Sequence, residues 1–196
     1  MYNPGRGYRN EFRIIAGEWR RRRLKFPDLP GIRPSPDRVR ETLFNWLRNV
    51  VPGARCLDLF AGSGALGLEA LSRGAASVLF VDRERPVLEA IKAHLALLGA
   101  SGGATWQGDA LGFLRGAPQP FDLVFLDPPF DSPLLGSAIR ALEQPGWLAP
   151  GAHVYMEWSA RKALETPAGW DLLRQDRAGQ VSYALARRTA AKLASD

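Results

Sequence analysis

From residue 54 onward, short apolar runs alternate with stretches of helical period, and glycines punctuate the switches. Arg55–Leu59 predicts a strand; a glycine-rich turn follows, then a helix through Leu71 with Gly74 as its stop. Ser77–Val81 predicts a second strand, Pro86–Leu98 a helix closed by Gly99, and Ala104–Gln107 a short third strand. Phe121–Leu126 is almost wholly apolar, as a strand covered on both faces should be. A helix near Leu134–Glu143 and a strand at His153–Glu157 come next. Trp170–Asp176 and Val181–Arg187 flank Ala178-Gly179, which predicts a closing hairpin. Upstream, Ser35-Pro36-Asp37 reads as a helix start with a hydroxyl N-cap, a proline in the first turn and an early acid. Val39, Leu43, Trp46, Leu47 and Val50 give that helix one apolar face. Short runs such as Phe12-Arg13-Ile14-Ile15 fit a small hairpin within residues 1–34.

Alternating strand–helix–strand units require a mostly parallel sheet with right-handed crossovers. The expected class is therefore α/β. By analogy of fold, an antiparallel hairpin closing such a sheet marks the Rossmann-like class I methyltransferase variant. The 196 residues suffice for one domain plus a modest extension. No stretch approaches the roughly 20 apolar residues that a membrane span needs. The N-terminus is polar, without the apolar segment of a secretory leader. The single cysteine, Cys56, forms no internal disulfide and reads as a small core residue. These features predict a cytoplasmic protein. His94 and His153 have no companion ligand at metal-binding spacing, so no metal is expected.

Charge changes the picture more than composition does. Residues 1–48 hold 12 basic against 5 acidic side chains, a balance of +7, while the remainder holds 14 against 15, so the whole basic excess sits in the first quarter. A basic arm of this kind suits a polyanion, because neutralised phosphates release condensed counterions. Tyr2, Tyr8, Phe12 and Trp19 interleave with Arg6, Arg9, Arg13 and the run Arg20, Arg21, Arg22, Arg23. Aromatic and guanidinium planes both stack on unpaired bases, which points to nucleic acid.

The loop Gly62-Ser63-Gly64-Ala65-Leu66-Gly67 has the G-x-G-x-x-G spacing, with Asp82 at the end of the next strand. Taken alone, this suits a nicotinamide dehydrogenase as well as a methyltransferase. A phosphate-cradling P-loop is excluded, since Leu68-Glu69 stands where Lys-Ser/Thr is required. Asp58, just before the loop, separates the two remaining readings. It suits the cationic aminoacyl end of S-adenosylmethionine and would repel a pyrophosphate. Asp109, after the third strand, is placed to accept from an adenine amino group. Asp82 would accept from ribose hydroxyls, although either acid could instead serve an ordinary turn or cap.

The fourth strand ends in Asp127-Pro128-Pro129-Phe130. An exocyclic amine on a base is a poor nucleophile because its lone pair is delocalised into the ring. A carboxylate and a backbone carbonyl can accept its two hydrogens and favour pyramidalisation, aiming the lone pair at an electrophilic methyl. Pro128 supplies a rigid carbonyl with no competing N–H, and Phe130 can stack on the base. Orientation and electrostatics then carry the rate, without a covalent intermediate.

The run Leu57–Leu71 and the Asp127–Phe130 motif resemble the RsmD type of 16S rRNA guanine-N2 methyltransferases. Arg13-Ile14-Ile15-Ala16-Gly17, Arg33–Leu47, Gly146-Trp147-Leu148 and Ala178-Gly179-Gln180-Val181 extend the resemblance over nearly the whole chain. Ser35-Pro36 departs from it, standing where two threonines are expected. Asp-Pro-Pro-Phe alone is shared with DNA adenine and protein glutamine methyltransferases and leaves the substrate open. An N6-adenine enzyme would also carry a base-reading domain, for which this chain has little room. The resemblance implies methylation of N2 of guanine 966 in 16S rRNA, within the 30S subunit or an assembly intermediate; separately, a monomer is expected. It implies that Asp58, Phe60, Ala61, Gly62, Ser63, Gly64, Asp82, Arg83, Asp109 and Ala110 bind S-adenosyl-L-methionine. Asp127, Pro128 and Phe130 would hold the base, and Arg13, Arg20–Arg23, Arg38 and Arg40 the RNA. The expected organisation is a basic RNA-binding extension over residues 1–34, a methyltransferase domain over 35–190 and a tail at 191–196.

Overall fold

The computed structural model describes residues 10–32, 34–129 and 132–189. Strands β1 (Glu11–Arg13) and β2 (Arg23–Lys25) pair antiparallel, with Phe12 opposite Leu24. Both side chains turn into the core, as does Ile14 just beyond β1. Helix α1 (Asp37–Trp46) follows, and Val39, Leu43 and Phe44 form its buried face. Trp46 is partly buried, and Val50 lies in the turns after the helix.

The alternating part builds β3 (Arg55–Asp58), α2 (Ala65–Ser72), β4 (Ser77–Asp82), α3 (Arg85–Leu98), β5 (Gly103–Gln107), α4 (Ala110–Leu114), β6 (Phe121–Leu126) and α5 (Leu134–Leu142). Strands β7 (Leu148–Ser159), β8 (Trp170–Ala178) and β9 (Val181–Arg188) close the chain. Among the described residues the main sheet runs β5-β4-β3-β6-β7-β9-β8. Pairing is parallel from β5 to β7 and antiparallel where β9 joins β7 and β8. This is the Rossmann-like class I methyltransferase fold. The chain leaves β3 toward β4 and β5, then returns to β6 on the other side of β3. That reversal opens a crevice at the carboxyl ends of β3 and β6, where ligands bind in such sheets.

Apolar residues on both sheet faces form two buried clusters, consistent with the unbroken apolar character of β6. Cys56 is buried in one of them, and burial there pushes its thiol up to about 12, so it stays protonated. Gly67 is needed for close packing of α2 on β4: a Cβ there would sit 2.2 Å from Cε1 of Phe80.

Three local expectations change. Ser35 does not cap α1: Pro36 occupies the cap position without a side-chain hydrogen bond, and the Ser35 hydroxyl points elsewhere. Helix α4 arises in a stretch where no helix is predicted, with Asp109 capping it through a 2.7 Å bond from the Gly112 N–H. Strand β7 begins five residues before His153, at Leu148. The chain passes Pro150-Gly151 by a register shift against β6.

Candidate functional site

The carboxyl ends of β3, β4, β5 and β6 each deliver an aspartate to the crevice. Asp58 closes β3 and is buried; its carboxylate accepts from the Gly67 N–H at 3.0 Å. Burial, assisted by the charge of Asp82 and opposed by the Gly67 N–H, pushes its carboxyl up to about 8. Asp82 closes β4 and holds the glycine loop: one oxygen accepts from the Gly62 N–H at 2.9 Å and the other from the Glu84 N–H at 2.9 Å. Each oxygen keeps a lone pair for a further donor. Gly62 and Gly64 take φ of +49° and +76°, a conformation that side-chain-bearing residues resist. The loop thus brings backbone close to whatever occupies the crevice.

Ser63 is buried and accepts from the Ala65 N–H at 3.3 Å, so it shapes the turn. Ala61 is tied to β4 through its N–H to the Val81 carbonyl at 2.9 Å, and Phe60 beside it is partly buried. Ala110 begins α4 as a buried residue, while Asp109 is exposed and spends one oxygen on its cap. Arg83 is exposed and paired with its neighbour Glu84 at 3.1 Å. A row of carboxylates with no phosphate-binding cation among them suits a ligand that brings hydroxyl and ammonium donors. Among the described residues no group of three or more His, Cys, Asp or Glu side chains could hold a metal.

Asp127 follows β6 directly and lies next to this row. Its carboxyl is held well above the usual range by burial and by the charges of Glu157 and Asp58, against the opposing pull of the Ser35 hydroxyl. The Ser35 Oγ lies 3.4 Å from Asp127 Oδ2 and donates to Glu157 Oε1 at 2.8 Å. The Tyr155 hydroxyl donates to the same Glu157 oxygen, also at 2.8 Å. Glu157, on β7, is buried, and burial raises its carboxyl above the ordinary value. A cavity of about 290 Å³ adjoins the motif, lined by Pro128, Pro129, Pro133, Glu157, Trp158 and Lys162 among others. Phe130 lies outside the described residues.

Of the candidate RNA contacts, Arg13, Arg20, Arg21, Arg22, Arg23 and Arg38 are exposed. Arg13 pairs with Asp37 at 3.0 Å and Arg23 with Glu11 at 2.8 Å. Arg40 must be withdrawn from that set. Its side chain is fully buried, donating to the Ser35 carbonyl at 3.2 Å, the Arg13 carbonyl at 2.8 Å and Asp37 at 2.6 Å. It also faces the buried Glu69 at 3.6 Å and covers the Phe12 ring, so no RNA phosphate can reach it. Glu69 in turn accepts from the N–H groups of Ile15 at 2.8 Å and Ala16 at 3.0 Å, and from Arg73 at 2.7 Å. The arm is thereby fastened to α2, the helix that starts at the glycine loop. An open hollow of about 550 Å³ lies between hairpin and helices, bordered by Arg20, Glu41, Asn45 and Arg73; none of the crevice aspartates lines it.

Sequence reasoning missed Ser35, Tyr155 and Glu157 as partners of Asp127, and Glu69 as an anchor. One signal was available: Glu157 is a charged residue in an otherwise apolar stretch of an interior strand.

A family model described as "Conserved hypothetical protein 95" matches residues 12–187. Ribosomal RNA small subunit methyltransferase D of Escherichia coli K12 is 48% identical over 191 residues, covering 97% of this chain and 96% of that protein. The chain belongs to the RsmD-type family. Another member, ribosomal RNA small subunit methyltransferase D of Haemophilus influenzae, is 45% identical over 90% of this chain and 94% of its own length. The solved structure of yhhF from Escherichia coli matches with TM-score 0.86 and 47% identity, over 92% of this chain and 99% of that one. At 16% identity, a methyltransferase from Geobacter sulfurreducens still matches with TM-score 0.64 over 80% of each chain, which shows the shared fold.

Proposed function

We propose that this family member transfers a methyl group from S-adenosyl-L-methionine to the exocyclic N2 of a guanine in 16S rRNA, the position numbered 966. The substrate would be the 30S subunit or an assembly intermediate, met in the cytoplasm by a monomer. The observation that carries this reading is the position of Asp127, immediately after β6 and beside Asp58 at the point where the strand order reverses. An acceptor for an amine thus sits next to a crevice suited to the cofactor. The names of the relatives, as ribosomal RNA small subunit methyltransferases, supply the nucleic-acid class.

In this reading Asp82 accepts from the ribose hydroxyls, Asp109 from the adenine amine, and Asp58 faces the aminoacyl ammonium. The bound cofactor supplies an electrophilic methyl. Asp127 and the Pro128 carbonyl take the two amine hydrogens, and Phe130 stacks on a guanine that has left its own stack. The exposed arginines of the hairpin and Arg38 hold the surrounding phosphates. Asp127→Ala should lower kcat by ~100-fold or more, the scale of a lost transition-state contact, while cofactor affinity stays near wild type. Mass spectrometry of 16S rRNA from a deletion strain, before and after treatment of its 30S particles with the purified protein, tests the whole reading. A methyl group restored anywhere but N2 of guanine 966 would refute it.

A further inference from the structure

The Ser35 hydroxyl stands between two carboxyl groups from different parts of the fold, with one hydrogen to serve both. The hydroxyl can donate to Asp127 Oδ2 at 3.4 Å, but the shorter contact, 2.8 Å to Glu157 Oε1, claims its one hydrogen and then leaves lone pairs toward Asp127. Tyr155 adds a second donor to the same oxygen of Glu157. This arrangement describes Glu157 as the ionised member and Asp127 as the protonated one. An amine-binding Asp127, however, must be an acceptor on the oxygen that meets the substrate.

We propose that Asp127 and Glu157 act as one unit sharing a single proton through the Ser35 hydroxyl, with Glu157 storing the proton while Asp127 faces the amine as the ionised acceptor. The proposal rests on the amine-methylating reading above and deepens it. The exchange is balanced. The proton on Asp127 passes to Ser35 Oγ as the hydroxyl's own proton passes to Glu157 Oε1, and the negative charge moves the other way. Methyl transfer then forms N–CH3 from the amine lone pair as S–CH3 breaks, its electrons staying on sulfur. The nitrogen now carries one hydrogen too many. Its N–H bond breaks, the pair returns to nitrogen and the proton goes to Asp127, leaving both carboxyls neutral until one proton escapes to solvent.

The surroundings support one shared proton. Burial holds both carboxyls above their ordinary range, the charge of Glu157 raises Asp127 further, and a dry site disfavours two adjacent anions. Asp58 on β3 raises Asp127 further, and Tyr155 is itself pushed up by burial and by Glu157. Tyr183 on β9 also faces Tyr155, while Lys162, Arg140 and Glu165 share the cavity that Glu157 lines. Ser35 and Glu157 are positioning residues here, acting through Asp127.

Two measurements decide the proposal. The infrared difference between ligand-free wild type and the isosteric double variant Asp127→Asn/Glu157→Gln isolates the pair without any substrate. At neutral pH it should contain one protonated carboxyl and one carboxylate band; two carboxylate bands would overturn the proposal. The second is the pH profile of kcat on 30S particles. Removing the hydroxyl takes a hydrogen bond from the anionic forms, so Ser35→Ala should move the acid limb to higher pH. It should also lower kcat about tenfold, with little change in KM, and Ser35→Thr should restore both. An unchanged acid limb in Ser35→Ala would also overturn it. A wild type that methylates some other amine refutes the substrate assignment alone, and the same variants on that amine then judge the pair.

Discussion

Asp58 offers a quantitative test of the cofactor assignment through pH alone. Its carboxyl, pushed up to about 8 by burial, is mostly protonated in the ligand-free protein at neutral pH. Opposite a ligand ammonium it must ionise, so binding should release a proton. One unit below the pKa the protonated form leads about ten to one, which gives release of about 0.9 proton at pH 7. Ionising Asp58 then costs ~1.4 kcal/mol at pH 7 and ~2.7 kcal/mol at pH 6. Affinity for S-adenosylmethionine should therefore rise about tenfold between pH 6 and pH 7. It should level off near pH 8, where the ligand's own amino group (ordinarily ~7.7–8.0) begins to lose its proton. Calorimetry in buffers of different ionisation enthalpy reads the release directly, and Asp58→Asn should abolish both the release and the slope. Buffer-independent enthalpies together with a flat affinity profile would refute the placement of the ammonium at Asp58. Stability follows with the opposite sign. A raised folded-state pKa means that the folded chain holds this proton more tightly than the unfolded chain. The contribution is whole below about pH 4 and is lost as pH rises toward 8.

Three further outcomes are expected. Replacing Arg20–Arg23 with serine should weaken RNA binding and flatten its salt dependence, while cofactor binding is unchanged. If about five cations of the wild type neutralise phosphate, log affinity against log salt should have a slope of roughly −3.5 to −4.5, and filter binding across a salt series would detect its loss. Glu69→Ala should leave Arg40 as a buried charge without its buried partner and free the Ile15 and Ala16 N–H groups, costing ~3–5 kcal/mol in denaturant unfolding. Gly67→Ala should cost ~1–3 kcal/mol by forcing α2 off Phe80, seen as a lower Tm.

The sequence by itself determined the order of the strands and of every helix but α4, the parallel sheet and the glycine loop, together with the aspartates at the strand ends. Those signals are local: periodicity of two or 3.6, glycines where positive φ is needed, and an acid immediately after an apolar strand. Asp58, Asp82, Asp109 and Asp127 were legible because a parallel sheet brings every strand's carboxyl end to one edge. Tertiary structure alone decided what each of them touches. Ser35 meets Glu157 across 122 residues of sequence, and no local rule distinguishes that hydroxyl from an N-cap. Arg40 reads as one more cation of a basic arm until α1 turns it inward against Glu69, 29 positions away and fully buried. In each case the deciding energy is desolvation. Which charges and hydroxyls lose water depends on elements that meet only when the sheet and helices pack.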